Sequence, residues 1–403
     1  MSTSGYDVER VRTAFPALTE GAAHFDGPGG SQVAAPVADA VAATLRAAVA
    51  NRGSVTRAEQ RAEGIVVSAR EAMAELLDAP PAGVIFGRSM TALTFDMSRA
   101  LARTWSPGDE IVVTRLDHDA NIRPWVTAAE AVGATVRWVP FERTTAELPT
   151  ETLLAALNGP TRLVAVTAAS NLFGTRPDVA AIAAAAHDVG ALVYVDGVHY
   201  AAHVSVDMTA LGADFFACSA YKFLGPHLGV LAAAPDLLAS VRPDKLLPST
   251  DVVPERFELG TLPYEMLAGV TAAVEFLAGL DPTAVGSQRD RLVASYDVLE
   301  GHEMRLLERM LTGLAGIPGV TVHGRPVRRT PTVLFDVDGL SGQEVYASLA
   351  EQGVNAPAGS FYALEASRWF GLGDRGAVRA GIAPYTNDDD VDRLLAAVTK
   401  CAQ

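Results

Sequence analysis

Six short apolar runs recur between Gly83 and Cys218: GVIF (83–86), EIVVT (110–114), TVRWVP (135–140), RLVAVT (162–167), ALVYVD (191–196) and DFFAC (214–218). Each is too short for a stable helix and rich in β-branched or aromatic residues, the signature of a buried strand. Helical stretches such as DVAAIAAAAHD (178–188) lie between several of them, because alanine has the strongest intrinsic helix preference. Strands that want burial on both faces, alternating with helices, fit a largely parallel sheet covered on both sides.

The pattern changes after Leu259. Residues 264–280 and 289–314 read as helices, TVLFDV (332–337) as a strand, 341–352 as a helix, AVRAGI (377–382) as a strand and 388–402 as a last helix. This is an α+β pattern. The expected organisation is a large α/β domain over 21–261 and a smaller α+β domain made of 1–20 and 262–403. With 403 residues, 49% of them hydrophobic, the chain has enough material for both cores.

Composition removes several function classes. Asp plus Glu number 47 against 32 Lys plus Arg, a net charge of −15, which repels a nucleic-acid backbone. No apolar run is long enough to span a membrane. The N-terminus MSTSGYDVERVRTAFPAL is charged and has no apolar signal core. Two cysteines, Cys218 and Cys401, do not make a disulfide scaffold and suit a reducing cytoplasm.

Ligands of open α/β sheets gather beyond the carboxyl ends of the strands. Three candidates fall there: Asn171 after RLVAVT, Asp196 at the end of ALVYVD, and Lys222 shortly after DFFAC, inside the apolar stretch FACSAYKFLGP. A desolvated lysine is a nucleophilic amine able to condense with an aldehyde. An aspartate facing a pyridine nitrogen keeps it protonated, so that the ring withdraws electrons. Together these residues suggest pyridoxal phosphate (PLP). Taken singly, each has a plainer reading: a lysine whose head reaches solvent, and an aspartate that caps a helix.

Several stretches resemble the class V aminotransferase family of fold-type I PLP enzymes, closest to its cysteine desulfurase-like members: LDHDANIRPW (116–125), SNLFGT (170–175), VDGVHYAAH (195–203), SAYKFLGP (219–226), FELGT (257–261) and VRAGIAPYTN (378–387). The resemblance implies a mostly parallel seven-stranded sheet in the large domain and a homodimer with shared active sites. It implies that Lys222 carries PLP through its amine, that Asp196 pairs with the ring nitrogen, and that His118 stacks on the ring. His199 and Asn171 would lie near the PLP hydroxyl. Ser89, Met90, Thr91 and Ser219 would bind the phosphate, joined by Thr261 from a second subunit. Arg379 would clamp the substrate carboxylate, with Asn51, Arg52 and Arg57 at the substrate entrance and Gly29 near the site mouth. His199 and His203 stand four apart, as a metal pair can, but no third ligand is suggested and no metal is expected.

Beside one rival fingerprint, two features, a missing cysteine and Tyr221, separate this chain from its apparent relatives. The stretch DGPGGSQ (26–32) invites comparison with a dinucleotide loop, but Gln32 stands where a glycine or alanine is wanted. Desulfurases carry a mobile cysteine shortly before the carboxylate-binding arginine. Here VNAPAGSFYALEASRWFGLGDRGAV (354–378) contains none, and Tyr362 falls near its place. Tyr221 stands before the lysine where desulfurases often have histidine. The remaining expectation is PLP chemistry at Cα or Cβ of an amino acid, in first place β-elimination from cysteine or an S-conjugated cysteine, as in C–S lyases of secondary metabolism. Transamination is the alternative, with epimerisation and decarboxylation behind it. A non-catalytic PLP-fold subunit is the reading from another class.

Overall fold

All six apolar runs become strands of one sheet: β1 (Val84–Gly87), β2 (Glu110–Thr114), β3 (Thr135–Val139), β4 (Thr161–Thr167), β5 (Leu192–Asp196) and β6 (Phe215–Ser219). A seventh, β7 (Gly229–Ala233), completes it. The structure is a computed structural model and describes residues 5–403. The strand order is β1-β7-β6-β5-β4-β2-β3. Neighbours from β6 to β3 are parallel. Only β7 runs against its neighbours β1 and β6. This is the expected mostly parallel seven-stranded sheet.

The strand β7 is absent from the sequence reading because GVLAA is built from glycine and alanine around two larger residues, a composition with little strand preference. Tertiary burial decides it: all five residues are buried between β1 and β6. Its first residue must be glycine for a packing reason. A Cβ on Gly229 would sit 2.2 Å from the carbonyl carbon of Ser89. The missing side chain lets the start of helix Met90–Ala102 lie against the end of β6.

The helices Ala35–Arg46, Arg57–Leu77 and Tyr264–Ala278 pack together beside the sheet. Helix Gln288–Ala315, begun by a Ser287/Asp290 capping box, leads into an antiparallel sheet of Val320–His323, Thr332–Val337, Ala377–Gly381 and Ala358–Gly359. Within the span 21–261, Ala23–His24 pairs in parallel with Val354–Asn355, and Asp26 bridges to Gly381. The chain therefore runs from this C-terminal layer straight into the DGPGGSQ loop. Among the described residues no helix is long and apolar enough to cross a membrane.

Candidate active site

The parallel register aligns the ends of β4, β5 and β6. Thr167 pairs with Asp196, and Asp196 with Ala217. After Ser219 a single 3-10 turn, Ala220–Lys222, brings the lysine to this sheet edge. Lys222 Nζ donates to the carbonyl oxygens of Pro28 (2.6 Å) and Gly29 (3.0 Å). These belong to the DGPGGSQ loop, so the stretch that mimicked a dinucleotide motif instead closes over the lysine. The Ser31 N–H and hydroxyl donate to Tyr221 O, and Leu224 N–H donates to Ser31 Oγ. Gly30 faces the Tyr221 ring, where a Cβ would come within 3.1 Å. Burial, reinforced by the Arg379 charge and only partly opposed by Asp196, lowers the Lys222 pKa to about 7. A good share of this amine is unprotonated at neutral pH and nucleophilic.

Asp196 is 5% exposed. Its Oδ1 accepts a bond from the Val198 N–H (2.9 Å), yet burial raises its pKa to about 6. A buried carboxylate with no cationic side chain bonded to it calls for a protonated partner from a ligand.

His118 follows β2 and caps a short turn, its Nδ1 accepting the Ala120 N–H at 3.0 Å. The ring proton therefore sits on Nε2. Burial first, then the charges of Lys222 and Arg379, lower its pKa to about 4, so the ring is neutral and flat beside the cleft. Its loop is anchored from behind by a network the sequence reading missed. Asp117 accepts from the Thr114 hydroxyl and from Asn121 Nδ2 (2.7 Å), and Asn121 Oδ1 accepts from the Trp125 indole (3.1 Å). The i, i+4, i+8 spacing of Asp117, Asn121 and Trp125 was the available signal.

Burial raises the Asp117 pKa to about 8, against about 4 in an unfolded chain. The folded state therefore holds an extra proton between those values, and stability falls as pH rises from about 4 to about 8. Asp117→Asn in PLP-free protein is expected to remove this component from thermal melts recorded across that range. An unchanged pH slope would contradict the assignment.

One cleft gathers most of the expected residues: Met90, Thr91, His118, Asn171, Asp196, His199, Ser219 and Lys222, with Pro28 and Tyr221. Ser89 is the N-cap of helix Met90–Ala102, its hydroxyl accepting the Ala92 N–H. Met90 N–H donates to Ser219 Oγ at 3.3 Å. The helix start, with Thr91 and the Ser219 hydroxyl, makes an anion site. His199 Nε2 bonds to the hydroxyls of Thr330 (2.9 Å) and Thr332 (3.0 Å), while His203 Nδ1 bonds to Glu303 (2.9 Å). Both histidines are thus committed to separate partners.

Arg379 is 2% exposed on strand Ala377–Gly381. Its Nη1 donates to Asn171 O at 2.9 Å, its guanidinium carbon lies 3.7 Å from the Phe361 ring centroid, and its Nε has no partner. A Cβ on Gly29 would be 3.4 Å from its Nη2, so this arginine borders the carbonyl that holds Lys222. Burial lowers its pKa to about 9, and it remains a cation at neutral pH.

Ser89, Gly29 and Arg379 border this cleft without lining it, Arg57 is exposed at the start of its helix, and three further expected residues lie away from the cleft. Arg52 is held by both oxygens of Glu63 (2.8 and 2.9 Å) and by Glu255 (3.2 Å), so its guanidinium is already occupied and unavailable as an entrance clamp. Asn51 is exposed in a separate depression beside Tyr264. Thr261 is exposed next to Arg88, His227 and Pro263. It does not reach the phosphate site of its own chain.

The cleft matches PLP in its unmet bonds. Asn171 Oδ1 is buried without a partner, Asp196 lacks a cation, and at the helix start the Thr91 N–H is left for a dianion while those of Met90 and Ala92 bond to Ser219 and Ser89. Lys222 would hold the aldehyde carbon, Asp196 the ring nitrogen, His118 the ring face, Asn171 and His199 the hydroxyl, and Met90, Thr91 and Ser219 the phosphate.

The model of the class V aminotransferase family matches residues 23–394. The chain belongs to this family. An uncharacterized protein of Mycobacterium tuberculosis, MT3887, is 34% identical over 395 residues, covering 98% of both chains. The aminotransferase-like protein FGM3 of Gibberella zeae is 32% identical over 417 residues, 99% of both. Among solved structures, the Escherichia coli cysteine desulfurase CsdA (S-sulfonic acid) superposes with a TM-score of 0.85 at 28% identity, covering 98% of each chain. This class V aminotransferase-family protein is a cysteine desulfurase-like PLP enzyme, and the fold-type I architecture expected from the sequence is the one observed.

Proposed function

We propose that the enzyme removes a sulfur substituent from Cβ of cysteine or an S-substituted cysteine by β-elimination. The observation that carries this reading is a reactive amine cleft with no protein thiol at hand. Cys218 is fully buried within β6, its thiol pKa pushed far up by that burial. Cys401 lies on the last helix and contacts Ser348. Sulfur would therefore leave on the substrate fragment and not on the enzyme.

PLP, when bound, supplies the electron sink that stabilises a Cα carbanion. The protein's own groups do the rest. Arg379 receives the substrate carboxylate in its planar fork. Lys222 takes the Cα proton as an unprotonated amine. Asp196 holds a negative charge toward the ring nitrogen, and the neutral His118 ring limits tilt. As the Cβ–S bond breaks, its electron pair departs with the thiolate. Hydrolysis of the three-carbon remainder gives pyruvate and ammonia.

The test is to incubate the holoenzyme with an S-substituted cysteine, with and without a 2-oxo acid. Equal release of thiol, pyruvate and ammonia supports elimination. Amino transfer to the oxo acid without thiol release contradicts it and indicates transamination. For Arg379→Lys, charge is kept and the fork is lost. KM for the amino acid is expected to rise about tenfold, equivalent to about 1.4 kcal/mol. An unchanged KM would remove Arg379 from carboxylate binding.

The setting we propose is a cytoplasmic homodimer. Two unpaired cysteines support the compartment. The exposed Thr261, outside its own cleft, supports a site completed by a second copy.

A further inference from the structure

Next to the cofactor cleft lies a second, solvent-open space, lined by Phe95, Asp119, Arg123 and Tyr362 together with four residues of the cleft itself, Thr91, His118, Ala120 and Tyr221. The two spaces adjoin at those shared side chains. A substituent on Cβ of a bound amino acid has this chamber to enter.

Its roof is built under backbone strain. Phe361 and Tyr362 are consecutive non-glycine residues with φ of 52° and 58°, a conformation that persists only when surrounding contacts over-determine it. Three contacts do so. Asn171 Nδ2 donates to Phe361 O (3.0 Å), Asp119 N–H donates to Tyr362 O (2.7 Å), and the Phe361 ring lies under the Arg379 guanidinium. The result is a tyrosine 78% exposed, with its ring 5.6 Å from that of His118 and tilted 31° to it. Across the opening Tyr221 is braced by His227, with ring centroids 4.8 Å apart and planes 10° apart.

The chamber has no spare charge. Arg123 is bonded to Asp119 at 3.0 Å and lies 3.7 Å from Glu365. A charged substituent finds no unpaired opposite charge there, whereas a flat apolar group meets aromatic faces and edges on several sides. We infer that the group carried on the substrate's Cβ is an uncharged aryl-bearing thioether, seated between Tyr362, Tyr221 and Phe95. This rests on the elimination reading for the sulfur and adds the nature of what the sulfur carries.

Carbon analogues separate the two ideas, because a methylene in place of sulfur cannot leave. Binding of 2-amino-5-phenylpentanoate, norvaline and 2-aminoadipate to the holoenzyme is measured by calorimetry. The aryl compound is expected to bind at least tenfold more tightly than norvaline, and 2-aminoadipate more weakly than either. Tyr362→Ala is expected to erase the aryl advantage and Tyr362→Phe to retain it. Aryl binding no tighter than norvaline, or an aryl advantage that survives in Tyr362→Ala, overturns the inference. Tight aryl binding without thiol release from S-benzylcysteine leaves the inference standing and overturns elimination alone.

Discussion

Lys222→Ala is expected to lower turnover of an S-substituted cysteine by about 10³-fold or more, and to let PLP wash out on dialysis. In the proposed reaction one side chain both anchors the cofactor and moves the Cα proton, and the proton-transfer part alone would account for about 10²–10⁴-fold. The fold should survive. Burial disfavours the charged amine, which is why its pKa falls to about 7, so alanine removes a costly group from the site. Thermal melts of PLP-free protein should show no loss of stability in the variant. Turnover within tenfold of the parent enzyme would remove Lys222 from the reaction.

Asp196→Asn is the second large effect. The amide keeps the shape and can still accept the Val198 N–H bond seen at 2.9 Å, but it cannot hold a proton on the ring nitrogen. The loss is of charge stabilisation in the transition state, so kcat should fall by roughly 10²–10³-fold while KM changes little. A variant whose kcat stays and whose KM rises would place Asp196 in substrate binding. The raised pKa of Asp196, about 6, adds a second readout. In PLP-free protein this group favours the folded state when protonated, so its contribution declines as pH rises from about 4 to about 6. The asparagine variant should lack that decline.

Most of the large sheet and the centre of the small one were legible because their strands are unambiguous. EIVVT and TVLFDV each carry the apolar, β-branched run that only a strand can bury, and both have the bounds the sequence suggests. Five strands were not legible: Gly229–Ala233, Val320–His323 and the two-residue Ala23–His24, Val354–Asn355 and Ala358–Gly359. The first is made a strand by its neighbours, and the second is short and only partly buried. Asn171, Asp196 and Lys222 could be placed because strand ends put them on one edge. The Asp117–Asn121–Trp125 network could not, since its meaning depends on burial. Arg52 misled for a similar reason: one of its partners, Glu255, is 203 residues away in sequence. The strain at Phe361 and Tyr362 leaves no mark in composition at all.

The central claim is tested most directly by reducing the holoenzyme with borohydride and mapping its peptides by mass spectrometry. The chain has only three lysines, Lys222, Lys245 and Lys400, and Lys245 is already engaged by Asp251 and Ser249 O. The expected result is the cofactor's mass on the peptide carrying Lys222 and on no other. Cofactor fixed to Lys245 or Lys400, or an unmodified Lys222 in protein saturated with PLP, would contradict the account.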